Sequence, residues 1–120
     1  MRLLVADDDR DSADVVARLL RCAGQEVAVA YGGREAVELA EALCPDVLIL
    51  DLAMPAVDGI QIANHLRSKP QFAENRFIAL TGHTDQAALD AASKAQFDDY
   101  LLKPCDFDTL MKILAEAAAE

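Results

Sequence analysis

Cysteine is scarce in this chain and scattered: Cys22, Cys44 and Cys105 are odd in number, far apart and without a C-x-x-C pair. A disulfide framework and a thiolate zinc site are both poor fits, and reduced thiols in a cytoplasmic protein are the expectation. No apolar run approaches the ~20 residues that a membrane span needs. The start, Met-Arg-Leu-Leu-Val-Ala followed by three aspartates, is too short and too acidic to read as a secretory signal. Cations are few, with 11 Lys and Arg against 21 Asp and Glu and a formal net charge of -10. A phosphate backbone demands a cationic footprint, so direct nucleic-acid binding by this domain is not expected. Glycine-rich phosphate cradles are missing too: neither G-x-G-x-x-G nor a Walker pattern occurs, and Gly32-Gly33 reads as a turn in which glycine supplies positive φ.

What is present suits one compact domain over residues 1 to 120, with 53% hydrophobic residues. The central stretch is Val47 to Leu50, a continuous apolar run between Pro45 and Pro55, which reads as a strand buried on both faces of a parallel sheet. Asp51 ends it. A carboxylate there is costly unless it meets solvent, a metal or a cation. Ligands gather outside the carboxyl ends of strands in open parallel sheets. Asp51 is therefore either a ligand-holding or reacting carboxylate, or a residue that ends the strand and begins a turn.

The run Leu3-Leu4-Val5 also ends in carboxylates, Asp7-Asp8-Asp9. Acids converging there and at Asp51 would raise one another's pKa unless a cation lay among them, and oxygen ligands with water suit magnesium. Asp9 is better placed to cap the next helix, whose Val15, Val16, Leu19, Leu20 and Ala23 repeat at helical spacing before Gly24 stops it. Glu26 to Ala30 predicts a third strand and Arg34 to Cys44 a second helix. Asp58-Gly59 leads into another helix, on which His65 has no expected role, and residues 68 to 75 predict a loop. Phe77 to Leu80 predicts a fourth strand ending in Thr81-Gly82, where a hydroxyl could donate to an anion. Thr84 to Ala95 predicts an alanine-rich helix. Tyr100 to Leu102 predicts a short fifth strand with Lys103-Pro104 at its end, and Asp106 caps a final helix.

Five strands alternating with five helices imply crossover connections and a doubly wound parallel sheet. Right-handed crossovers bring Asp7, Asp8, Asp51, Thr81 and Lys103 to one edge. With Asp51-Leu52-Ala53-Met54-Pro55, Asp58-Gly59, Thr81-Gly82 and Asp99 to Pro104, the chain resembles the response-regulator receiver domain of two-component phosphorelay signalling over nearly its whole length. That resemblance implies the flavodoxin-like α/β fold with strand order 2-1-3-4-5. It implies that Asp51 accepts a phosphoryl group from a sensor histidine kinase or histidine phosphotransfer domain. It implies Mg2+ held by Asp8 and Asp51 directly, by Asp7 through water and by the carbonyl of Ala53, with Lys103 and Thr81 on the phosphoryl oxygens. Thr81 and Tyr100 would then form a switch acting on the face of the fourth helix, fifth strand and fifth helix, for an output domain or effector protein. The resemblance also implies a cis Lys103-Pro104 bond, and it places His83 and Ala53 where phosphoryl lifetime is tuned. Gln96 stands where the family commonly has glycine.

Three rivals compete with a signalling phosphoacceptor that turns over no separate substrate. A magnesium-dependent phosphohydrolase with an aspartyl nucleophile would need a further acid two residues after Asp51, where Ala53 stands. A receiver-like module that never takes phosphate is disfavoured by retention of all five site residues. A flavin-binding flavodoxin is disfavoured by the clustered carboxylates and by a complement of four Phe, two Tyr and no Trp.

Overall fold

The fold is seen in a computed structural model that describes residues 1–52, 54, 57–82, 90, 93–103 and 106–119. Five parallel strands, β1 (Arg2–Ala6), β2 (Glu26–Ala30), β3 (Val47–Asp51), β4 (Arg76–Thr81) and β5 (Asp99–Leu102), form one sheet in the order β2-β1-β3-β4-β5. Around them lie α1 (Arg10–Cys22), α2 (Gly33–Leu43), α3 (Gly59–Arg67) and a C-terminal helix (Phe107–Ala118). The fourth predicted helix, residues 84 to 95, falls largely outside the described residues, as do Ala53, His83, Pro104 and Cys105.

Alternation along the strands divides the core in two, because successive side chains of a strand point to opposite faces. Leu4, Ala6, Leu48, Leu50, Phe77 and Ala79 face α2 and α3, meeting Ala36, Ala40, Ile62, Ala63 and Leu66. Leu3, Val5, Val47, Ile49, Ile78 and Leu80 face α1 and the C-terminal helix, meeting Ala13, Leu20, Leu110 and Leu114. With both faces covered, the central strands tolerate no polar residue until they end. Burial of each such Leu or Ile contributes roughly 1.5–3 kcal/mol.

Helix boundaries follow local chemistry. Asp9 caps α1 by accepting from the Ser12 amide, and Asp58 and Gln61 make a reciprocal capping box at α3. Asp106 accepts from the Asp108 amide at the start of the C-terminal helix. Gly24, with φ of 91°, ends the α1 turn in a conformation that glycine adopts without strain. Two expectations need correcting. The loop predicted over 68 to 75 contains a 3-10 turn, Pro70–Phe72, because Phe72 is apolar enough to be buried wholly in the core. Gly32 and Gly33 lack positive φ and form the N-cap and first residue of α2; glycine is required at 33 because a Cβ would overlap the Val57 carbonyl oxygen.

Candidate functional site

The carboxyl ends of β1, β3, β4 and β5 meet at one edge of the sheet. Asp7 follows β1, Asp51 closes β3, Thr81 closes β4, and Lys103 follows β5. Parallel register places them: Asp7 N donates to the Ala30 carbonyl at 3.1 Å, and Lys103 N donates to the Thr81 carbonyl at 2.9 Å. Asp7, Asp51 and Thr81 are buried, at 1%, 3% and 3% exposure, and are the buried polar or charged residues among those described. Asp8 projects to solvent beside them.

Carboxylate oxygens of Asp7, Asp8 and Asp51 lie within 4.8 Å of one another. Lys103 reaches into this group, its Nζ 2.8 Å from Asp7 Oδ2 and 2.8 Å from Asp51 Oδ2. Burial pushes the Asp7 carboxyl above its ordinary range; the Lys103 ammonium opposes that rise and the neighbouring Asp51 adds to it. Burial would lower the Lys103 ammonium, but its hydrogen bonds to Asp51 and Asp7 outweigh the loss and hold its pKa up. The site therefore gathers three carboxylates around the bridging Lys103 ammonium. An all-oxygen donor set of this charge fits a hard divalent cation.

Of the residues expected at this edge, Asp7, Asp8, Asp51, Thr81 and Lys103 are brought together, and Ala53 lies outside the described residues. Tyr100 is on β5 and 40% exposed, so its side chain is partly open to solvent. Sequence reasoning missed two features of the rim. Gly59, expected only to open α3, also permits a close approach, because a Cβ there would come within 2.5 Å of the Asp51 carbonyl oxygen. The Asp-Gly pair after the nucleophile-like aspartate was the available signal. Tyr31 is the other: its ring lies 4.2 Å from the Arg10 guanidinium, and its hydroxyl donates to Asp14 Oδ1 at 2.5 Å. That bond to Asp14 raises the phenol's pKa. No local pattern in the sequence announces this contact between the residue after β2 and α1.

A doubly wound α/β domain with buried acids and a lysine at the carboxyl edge of its sheet carries its charged cluster where such folds bind ligands. The sequence matches the response regulator receiver domain family over residues 3–115, and the chain belongs to that family. A 14.6 kDa protein of Leptolyngbya boryana is 35% identical, aligned over 97% of this chain and 88% of its own length. The response regulator MprA of Mycobacterium avium is 35% identical over 92% of this chain, which spans about half (48%) of that protein. The receiver domain of the Francisella response regulator 1452 superimposes with a TM-score of 0.86 at 31% identity, covering 97% of this chain and 94% of its own. The family is one of signalling domains. Among the described residues no helix is long and apolar enough to cross a membrane.

Proposed function

We propose that residues 1 to 120 act as a phosphoacceptor domain, in which Asp51 receives a phosphoryl group from a phosphohistidine on a sensor histidine kinase or histidine phosphotransfer domain. The observation that supports this most directly is the Lys103 ammonium held 2.8 Å from both buried carboxylates, Asp7 and Asp51. A carboxylate oxygen of Asp51 forms the new P–O bond while the P–N bond to the donor imidazole breaks, its electron pair returning to that nitrogen. Phosphoryl transfer needs alignment and charge neutralisation more than covalent assistance. Asp8 and Asp51 would hold Mg2+ directly, Asp7 through water, and the Ala53 carbonyl would complete the protein ligands. The ion's contribution is neutralisation of the phosphoryl oxygens. Lys103 holds another of those oxygens, and the Thr81 hydroxyl a third.

The product brings close to two negative charges to an edge where Lys103 already faces several carboxylates. Attraction of the Thr81 hydroxyl toward them vacates space that the exposed Tyr100 ring fills, a population shift that alters the surface of β5 and the helices beside it. An output domain or effector protein reads that surface in the cytoplasm. The domain catalyses its own phosphorylation and dephosphorylation and no separate reaction. Incubation with acetyl phosphate and magnesium, followed by intact-protein mass measurement, tests the reading. One phosphoryl mass is expected on the wild type and none on Asp51→Asn. Equal labelling of both proteins, or an inert wild type, overturns it.

A further inference from the structure

At the sheet edge remote from the carboxylates, Arg67 ends α3 and turns its side chain inward until only 10% of it is exposed. Its Nη1 donates to the carbonyls of Phe72, Ala73 and Asn75 at 3.0, 3.1 and 2.8 Å. Its Nη2 donates to the Gln96 carbonyl at 2.9 Å and to Asp98 Oδ2 at 3.0 Å, and the guanidinium lies 4.0 Å from the centre of the Phe77 ring. Asp98 in turn accepts from the Phe77 amide at 2.8 Å through the same Oδ2, and its own amide donates to the Phe77 carbonyl at 2.8 Å. One guanidinium thus joins the end of α3, the turn before β4, the first residues of β4 and the approach to β5. Such an arrangement exceeds what closing a helix requires.

We infer that Arg67 is a positioning residue for phosphoryl transfer: through Asp98 and Gln96 it fixes the register of β5 on β4, and so the place of Lys103. This rests on the phosphoacceptor reading of the site. The physical need is clear from β5 itself. It is an edge strand of four residues, paired only with β4, and of its apolar side chains Leu101 is buried while Tyr100 and Leu102 are exposed. A sheet register is strongly specified only where a pattern of buried side chains distinguishes one alignment from the next, and one buried leucine distinguishes little. A two-residue slip keeps Leu101's facing and yet moves Lys103 by about 7 Å along the strand, beyond reach of its 2.8 Å contacts. The Arg76 to Asp99 ion pair, at 2.8 Å, also joins the two strands. It links side chains alone, whereas Arg67 grips the main chain at Gln96 and the side chain that holds the Phe77 amide. A planar guanidinium can bind several acceptors in fixed directions, which a lysine cannot.

The test uses Arg67→Gln and Asp98→Ala, each removing one half of the clamp, with the full chain. Scalar coupling through the hydrogen bond from Lys103 N to the Thr81 carbonyl reads the register in the folded molecules directly, so loss of stability alone does not move it. Acetyl phosphate kinetics with magnesium supply the second measurement. Both variants are expected to lose the coupling and to show a limiting phosphorylation rate roughly 10- to 100-fold lower, with the half-saturating acetyl phosphate concentration little changed. If Arg67→Gln does not fold, Asp98→Ala decides the matter alone. An unchanged coupling overturns the inference, leaving the register to Leu101 and the Arg76 pair. Loss of the coupling at an undiminished rate overturns it as well. A wild type inert to acetyl phosphate would sink the phosphoacceptor reading instead, while the coupling still reports on the clamp.

Discussion

The Lys103 ammonium lies 2.8 Å from Asp51 Oδ2, a pairing across 52 residues of chain. The same ammonium also lies 2.8 Å from Asp7 Oδ2. Removing it as Lys103→Ala leaves two buried carboxylates facing each other, and the folded state loses roughly 1–3 kcal/mol, less than a fully buried pair would cost because the lysine is partly exposed. Magnesium should therefore raise the thermal midpoint of the variant more than that of the wild type. Thermal melts with and without the ion check both statements, and an equal gain in the two proteins would count against charge crowding as the cause.

Asp7 is held protonated to higher pH in the folded chain than its ordinary 3.8. Between that value and its raised folded pKa, the native state binds more protons than the unfolded one, so this group's contribution to stability declines as pH rises through the window. Asp7→Asn removes the titration. In metal-free buffer the variant should be the more stable protein at neutral pH, and the gap should close as pH falls toward 4. Urea denaturation at several pH values measures it; a gap that widens on acidification would contradict the assignment.

Gln96 sits with φ of 64°, in the left-handed region where a Cβ is disfavoured. Gln96→Gly should stabilise the fold by about 1 kcal/mol while preserving the carbonyl that Arg67 holds. Destabilisation in a denaturant titration would show that the glutamine side chain contributes something the backbone does not.

Gly33→Ala is expected to act in the opposite direction. The added Cβ meets the carbonyl and side chain of Val57, so the segment following β3 must shift, at a cost of roughly 1–3 kcal/mol. Because that segment leads back to Asp51, the substitution should weaken magnesium binding too, measured by calorimetry. Unaltered affinity in the folded variant would separate the two effects.

Much of this was legible in the sequence because parallel strands buried on both faces write themselves as short apolar runs. In each of β1, β3 and β4 the apolar run stops at the first polar residue that follows it, and that is how Asp7, Asp51 and Thr81 were found. Helix caps were equally readable, since Asp9, Asp58 and Asp106 act on amides two or three residues away. What stayed hidden depends on contacts between distant segments. The burial of Phe72, the overlap that makes Gly33 obligatory, and the five acceptors of Arg67 leave no local periodicity. Gln96 stood out only against the family's usual glycine, and its left-handed φ explains why glycine is usual there.

Strand β5 leads into Lys103, the lysine that reaches the acids among the described residues, and it comes last in the sheet's chain order. On a ribosome, β1 and β3 can associate well before residue 103 emerges, so the growing chain passes through a period with its aspartates gathered and uncompensated while β4 presents a bare edge. Cellular magnesium would relieve the first of these during synthesis, and chaperone capture the second. A gene truncated shortly before Lys103 should accordingly yield an aggregation-prone product rather than a weakly active one.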